Sequence, residues 1–224
     1  MSDPIFNTIE WDVTDRIGHL VITQPPSNKM TVSFFRDMGL LKEQIQHSSD
    51  LKAIIITGKG RHFSSGADLD ELLEEISRRN DSDTFLQANY SSLSFLEMLP
   101  IPVISAIRGV CLGSALELAL FSHFRFCSEE AVLGMPEATF KLIPGIGGIQ
   151  RFTALAGKAK ALDYILTGQT FDAQTALELG IVDAVVAKRD LITEAEVFLQ
   201  WLPENFSQVM RRVYLEKYSR KVGR

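Results

Sequence analysis

Short apolar runs, most of them rich in valine and isoleucine, alternate with segments of helical periodicity along most of the chain. The runs 19–24, 52–58, 102–109 and 124–128 each end at turn or polar residues, which is typical of strands. The second and third are apolar enough to predict largely buried strands. Strands that alternate with helices form layered structures, so the pattern predicts an α/β fold.

The segments between these runs carry the apolar spacing of amphipathic helices. In 33–47, for example, Phe34, Met38, Leu41 and Ile45 fall on one helical face. Further helices are predicted over 68–76, 84–99, 148–156, 158–167, 173–179, 190–201 and 204–219.

Composition and targeting signals narrow the class of protein. The net charge of −5 over 224 residues argues against nucleic acid as the main partner. Cys111 and Cys127 lie in apolar surroundings and read as reduced thiols, and the four histidines lack metal-ligand spacing. The N-terminus has no basic segment followed by an apolar one, and no apolar run is long enough to span a bilayer. We therefore predict a cytoplasmic protein with no membrane partner and no metal.

Two strand-to-helix junctions resemble each other. In "GKGRHFSSGADLDEL" (58–72) and "SAIRGVCLGSALEL" (105–118), a buried strand leads through a glycine turn to the start of a helix. The first amides of a helix have no internal acceptor. Each junction alone is most simply an ordinary tight turn. Together, the two could direct amides at one oxygen atom and form an oxyanion hole.

Two glutamates accompany these junctions. Glu117 is the single acid in the apolar run 110–121, one helical turn beyond Ser114. Burying a carboxylate is costly unless it is paired or used. Glu137 follows Pro136 and precedes a glycine-rich turn, where a plain surface residue is the simple alternative. Two carboxyl groups at one cleft would suit general acid–base chemistry. A serine nucleophile has little support, because no GxSxG motif is present.

Four stretches together resemble the crotonase, or enoyl-CoA hydratase/isomerase, superfamily. They are "AIIITGKGRHFSSGADLDEL", "PVISAIRGVCLGSALELAL", "LGMPEATFKLIPGIGGIQRF" and "LTGQTFDAQTALELGIVDAVV", in the family's order, and the similarity runs from about Ile17 to about Ala187. The resemblance implies a spiral of ββα units over 1–187 and a shortened C-terminal helical region over 188–224. It also implies an acyl-coenzyme A thioester substrate, no further cofactor, and a homotrimer or dimer of trimers.

The resemblance also assigns roles to individual residues. Ala67 and Ser114 match the positions whose amides hold the thioester oxygen, and Glu117 and Glu137 match the two acids of hydratases. Residues expected at the substrate or its coenzyme A are Asn28, Lys29, Ser65, Gly66, Asp68, Leu69 and Gly113.

The chain departs from the family's pattern at three places. Ser114 and Lys141 stand where glycine is common, and Arg108 stands where asparagine is frequent. The segment after "GIVDAVV" is also shorter than usual.

The leading functional hypothesis is hydration of a 2-enoyl-CoA, or the reverse dehydration. An enoyl-CoA double-bond isomerase is the nearest alternative, because one acid–base group can suffice there, and a decarboxylase or hydrolase of an acyl-CoA is a more distant one. A non-catalytic CoA-binding or assembly subunit is a hypothesis of another class, motivated by the short C-terminus and the substituted positions. RNA binding is a minor option that the acidic balance disfavours.

Overall fold

Nine strands in two sheets form the centre of the part of the chain that the structure describes. The structure is a computed structural model, and it describes residues 5–48, 50–79, 82–203 and 205–210. The strands are β1 (Ile9–Thr14), β2 (Ile17–Ile22), β3 (Ala53–Gly58), β4 (Val103–Ile107), β5 (Val110–Leu112), β6 (Phe124–Ser128), β7 (Val132–Gly134), β8 (Thr170–Asp172) and β9 (Ala184–Val186).

The larger sheet has the order β1-β2-β3-β4-β6-β9. Only the β1–β2 pair in it is antiparallel. The smaller sheet has the order β5-β7-β8, with β5 and β7 parallel and β8 antiparallel to β7. β4 lies in the larger sheet and β5 in the smaller. The chain therefore passes from one sheet to the other at residues 108–109.

Helices cover the sheets and connect the strands. They are α1 (Val32–Gln46), α2 (Leu69–Arg79), α3 (Ser82–Met98), α4 (Ser114–Leu120), α5 (Gly148–Ala156), α6 (Lys158–Thr167), α7 (Ala173–Glu178) and α8 (Leu191–Trp201), with short 3₁₀ helices over Pro136–Phe140 and Lys188–Asp190. In the part of the chain described, no helix is long and apolar enough to cross a membrane.

Local sequence explains several of these boundaries. Every residue of β3 and β4 is buried, as their unbroken apolar runs predict. Thr31 caps α1 by accepting a hydrogen bond from the Phe34 amide. Asp172 caps α7 in the same way through the Thr175 amide. The predicted α/β fold is confirmed.

Helix α8 covers one side of the larger sheet and forms a second, smaller core. Its Leu191 and Ala195 pack with Ile55, Ile104 and Phe126. Of the helix predicted over 204–219, residues 206–210 are helical and residue 205 lies in a turn, while 204 and 211–219 lie outside the described residues. The boundary at 187/188 between core and C-terminal region stays a prediction.

Candidate active site

The two strand-to-helix junctions run side by side. The Ser64 amide donates to the Val110 carbonyl at 3.1 Å, and the Leu112 amide donates to the Ser64 carbonyl at 3.2 Å. At Gly66, φ is +94°, and a Cβ would lie 2.5 Å from the Leu112 oxygen and 3.5 Å from the Ser114 nitrogen. Only glycine permits this approach. The sequence therefore brings the start of α4 against the loop that precedes α2.

The amide of Ala67 is left without a protein acceptor in the described part of the chain. Met30 forms both hydrogen bonds of a parallel bridge around Ala67, one to the Gly66 carbonyl at 2.9 Å and one from the Asp68 amide at 3.1 Å. In such a bridge, the N–H of the central partner points to the opposite side. The Ala67 amide therefore faces away from Met30.

The amide of Ser114 is left free by the geometry of the helix start. The first hydrogen bond of α4 runs from the Glu117 amide to the Gly113 carbonyl at 3.0 Å. The Ser114 amide therefore has no acceptor within the helix. Gly113 has a φ of +55°, which residues that carry a Cβ adopt only with strain. The free amides of Ala67 and Ser114 thus lie on two segments that pack against each other at Gly66.

Glu117 is 1% exposed, on a helix whose residues 115–120 are all buried. Its Oε1 accepts hydrogen bonds from the amides of Ile146 at 2.9 Å and Gly148 at 2.8 Å. Burial, reinforced by repulsion from Glu137, raises its pKa to about 7, and the two amides together with Arg151 oppose that rise. A carboxyl group with this pKa exchanges a proton readily near neutral pH.

Glu137 lies in the 3₁₀ helix Pro136–Phe140, close to the start of α4. A Cβ on Gly113 would lie 3.0 Å from Glu137 Oε1. Its Oε2 is buried with no hydrogen-bond partner among the described residues. Burial raises the pKa of this carboxyl group as well. The structure therefore brings the two predicted acids and the predicted Ser114 amide to one place.

A match to a known family complements this geometry. The family model described as enoyl-CoA hydratase/isomerase matches residues 13–222. The chain belongs to the enoyl-CoA hydratase/isomerase family. It is 33% identical over 218 residues to a probable enoyl-CoA hydratase of Bacillus subtilis, a match that covers 96% of this chain and 84% of the relative.

Solved structures agree with the family's fold. The crystal structure of an enoyl-CoA hydratase from Bacillus anthracis is 31% identical, with a TM-score of 0.75 over 87% of this chain and 76% of that one. That of an enoyl-CoA hydratase subunit I from Geobacillus kaustophilus is 28% identical, with a TM-score of 0.81 over 99% and 83% of the two chains. The resemblance to the crotonase superfamily is confirmed, and the chain is an enzyme of that family.

The residues predicted to contact coenzyme A fall into two groups. Ser65, Asp68, Leu69 and Lys29 are partly or largely exposed beside Ala67. The Lys29 ammonium lies 2.9 Å from the Asp68 carboxylate, and this hydrogen bond raises the pKa of Lys29 and lowers that of Asp68. These four residues stay predictions for coenzyme A, as do Gly66 and Gly113 for the substrate.

Asn28 has a different environment from the other members of that set. Its side chain is wholly buried, and its Nδ2 donates to the carbonyls of Lys59 at 2.9 Å and His62 at 2.8 Å. Its Oδ1 accepts from the Gln24 amide at 3.1 Å. These contacts occupy the amide group, so we expect Asn28 to shape the loop before α2 rather than to contact coenzyme A.

Two departures from the family's pattern have a visible structural basis. Lys141 ends the 3₁₀ helix with φ of +59°, a left-handed conformation in which glycine is the unstrained residue. Arg108 donates through Nη2 to the Gly58 carbonyl at 2.8 Å and so ties the end of β3 to the turn after β4. Lys141 thus takes the conformation that glycine favours, and Arg108 takes part in the backbone contacts at the end of β3.

Sequence reasoning missed the groups that hold Glu117. The donors are backbone amides of Ile146 and Gly148, which have no side-chain signature. A Cβ at Gly148 would lie 2.7 Å from Glu117 Cγ, so the glycine-rich turn 144–148 was the available signal. Arg151, on α5 immediately after that turn, was also missed. Among the described residues, no group of three or more His, Cys, Asp and Glu side chains could hold a metal ion.

Proposed function

We propose that this enzyme adds water across the double bond of a 2-enoyl-CoA, or removes it in the reverse direction. The observation that carries the proposal is the meeting of the buried Glu117 carboxyl group and the partly buried Glu137 carboxyl group with the free amides of Ala67 and Ser114. The family match supplies the thioester substrate class, as does the hydratase name of the Bacillus subtilis relative.

The amides of Ala67 and Ser114 would receive the thioester oxygen. As water adds to Cβ, negative charge develops on that oxygen, and fixed N–H donors stabilise it without reorganising. Loss of one such donor typically costs about 3 kcal/mol of transition-state stabilisation. Ser114 supplies its backbone N–H as a glycine would, so the serine is compatible with this role.

Glu117 and Glu137 would move the two protons of the reaction. One carboxylate accepts a proton from water as its oxygen bonds to Cβ, and the other, protonated, gives a proton to Cα. Burial raises the pKa of both groups. Repulsion from Glu137 raises the pKa of Glu117 further, which favours a state in which one of the two groups carries a proton and the other is ionised, as these two roles require.

Incubation with 2-butenoyl-CoA tests the proposal. We expect the enoyl-thioester absorbance to fall and the product mass to increase by one water. Glu117→Gln and Glu137→Gln should each lower turnover by about 10²- to 10⁴-fold while the thioester still binds. Glu43→Gln, exposed on α1, is the matched control.

Other products would identify the alternatives. Migration of the double bond in a 3-enoyl-CoA at unchanged mass, without hydration of the 2-enoyl substrate, would replace the hydratase by the isomerase. Thioester binding with no conversion of either substrate, unaffected by both substitutions, would favour a non-catalytic CoA-binding subunit.

We also propose that the protein is a homotrimer or a dimer of trimers, as the family resemblance implies. Large apolar side chains are exposed on and near the neighbouring elements Pro136–Phe140 and α6: Phe140 is 59%, Ile143 75% and Leu166 71% exposed. Contact between subunits would remove this surface from water. Light scattering after size-exclusion chromatography should give a trimer or hexamer mass, and a monomer mass would contradict this.

A further inference from the structure

The turn 145–148 separates Glu117 from a second set of charged residues. Gly148 faces Glu117, as its near contact with that side chain shows. At the preceding residue, Gly147, a Cβ would instead lie 2.6 Å from Arg151 Nη1 and 3.1 Å from the Tyr90 ring. One side of the turn therefore holds Glu117, and the other contacts Arg151.

Arg151 is buried and held from three directions. Its guanidinium forms an ion pair with Glu97 of α3, which is also buried. It lies 3.8 Å from the centroid of the Phe121 ring, just beyond α4. Its Nη1 donates to the Gly147 carbonyl at 3.2 Å. Arg151 thus fixes the carbonyl at the centre of the turn whose two flanking amides bind Glu117.

We propose that Arg151 is a positioning residue that fixes the turn 145–148, so that the amides of Ile146 and Gly148 hold the Glu117 carboxylate in its working orientation. The inference deepens the proposed function and rests on it. Arg151 and Glu97 line a cavity of about 540 Å³ together with Tyr90 and Gly147, and Glu117 is not part of that lining. Because Arg151 contacts the turn at Gly147 and Glu117 contacts it at Gly148, Arg151 would act on this carboxyl group through the turn.

Stability alone does not account for the pair. A buried ion pair loses much of its attraction to desolvation, and apolar residues of similar size are often as stable. Removing one partner, by contrast, leaves an unpaired buried charge and destabilises strongly. A test must therefore remove both charges at once.

The double variant Arg151→Met with Glu97→Met removes both charges and leaves the packing volume nearly unchanged. If Arg151 positions the turn, the double variant folds and binds the thioester, yet its kcat falls by about 10²-fold with KM little changed. Arg151→Lys, which keeps the cation, should recover part of the loss. If the ion pair served the fold alone, the folded double variant would keep the wild-type kcat.

The protonation of Glu117 gives a second readout that does not require turnover. The charged groups acting on Glu117 are Glu137, which raises its pKa, and Arg151, which lowers it. The Arg151 cation and the two amides that bind Glu117 each lower its pKa. Loss of the cation and weakening of these hydrogen bonds should therefore both raise the pKa of Glu117. Carbon-13 NMR of labelled glutamates follows this pKa in the ligand-free protein, with the signal assigned by its absence in Glu117→Gln.

The outcomes separate this inference from the proposed function. A pKa of Glu117 that is also raised in Arg151→Lys, where the cation is kept, supports the role of Arg151 in holding the turn, even if the wild-type protein hydrates no enoyl-CoA. An unchanged pKa together with wild-type kcat would overturn it. If the double variant does not fold, the same two measurements on Arg151→Lys decide, and wild-type values there would overturn the proposal.

Discussion

The two strand-to-helix junctions look alike in sequence but are held in different ways. Helix α4 is buried from residue 115 to residue 120, so packing of the helix fixes the position of the Ser114 amide at its start. Helix α2 lies at the surface, with Leu73 49% exposed, and the loop before it depends on hydrogen bonds to Asn28, Met30 and Ser27. One amide of the pair is thus positioned by packing and the other by a polar network.

This difference indicates where the site is vulnerable. Apolar packing is distributed over many contacts, whereas a polar network depends on a few donors and acceptors. Substitutions on the α2 side should therefore alter the Ala67 amide while the fold survives. Those on the α4 side should affect the fold and the chemistry together.

Gly66→Ala should break the contact between the two junctions, and among the changes that leave both glutamates in place it should have the largest effect on kcat. Its Cβ would lie 2.5 Å from the Leu112 oxygen, a backbone atom that cannot move away cheaply. Separation of the two amides should lower kcat by about 10²- to 10³-fold, as loss of an oxyanion donor does. Steady-state kinetics and thermal unfolding measure the effect.

Gly60→Ala is the matched control for that change. Gly60 also has a left-handed φ, of +77°, but a Cβ there meets nothing within 4 Å. It should cost about 1 kcal/mol of stability from backbone strain and leave kcat unchanged. Equal losses of kcat in the two variants would mean that strain, and not the contact, is responsible.

Glu117→Gln tests the α4 side through the pH dependence of stability. Its pKa is about 7 in the folded protein against 4.5 in the unfolded chain. The unfolded chain therefore loses its proton first, and burial of the ionised form costs about 3 kcal/mol above pH 7 and nothing below about pH 4.5. We expect the variant to gain stability over the wild type as pH rises from 5 to 8, measured by urea unfolding.

Glu43→Gln again serves as the surface control, because it removes a carboxylate from an exposed position. A stability difference for Glu117→Gln that is the same at pH 5 and pH 8 would contradict the buried, proton-exchanging carboxyl group described above.

Asn28→Ala tests the polar network of the α2 side. It leaves the Lys59 and His62 carbonyls without their donor and places alanine at φ of +52°. We expect a loss of about 3 kcal/mol in unfolding free energy, and about 2 kcal/mol for Asn28→Gly, which removes the donor without the strain. Both variants should lower kcat/KM, since the Ala67 amide moves with this loop, whereas wild-type kcat/KM in both would refute the link.

Lys29→Ala should have the smallest effect. Its ion pair with Asp68 lies at the surface, so the melting temperature should not change measurably. If Lys29 contacts coenzyme A, KM should rise a few-fold at low salt with kcat unchanged, and the difference should shrink as salt is added. A salt-independent KM equal to that of the wild type would remove Lys29 from the coenzyme site.

The sequence predicted the elements whose signal is long and apolar. Strands β3 and β4 follow from their valine- and isoleucine-rich runs, β6 from the short apolar run 124–128, and α1 from its spacing. The strands β5, β7, β8 and β9 have three residues each, too few for any periodicity to appear. Strand β1 was missed because most of "IEWDVT" is exposed at the sheet edge.

The site could be predicted from the sequence only where the type of a residue stands out from its neighbours. Glu117 stands out as a lone acid in an apolar run, and Gly66 as a glycine before a helix. The amides that bind Glu117 belong to Ile146 and Gly148, and a backbone donor has no signature in the residue type. The inward position of Asn28 depends on the carbonyls of a distant loop, which only the folded chain brings near.

The most direct test of the central claim is a crystal structure of the protein with an unreactive 2-enoyl-CoA analogue. The thioester oxygen should lie about 3 Å from both the Ala67 and the Ser114 nitrogens. The Cα and Cβ positions should lie between the carboxyl groups of Glu117 and Glu137. A thioester oxygen bound away from either amide, or an acyl group that reaches neither glutamate, would contradict the account.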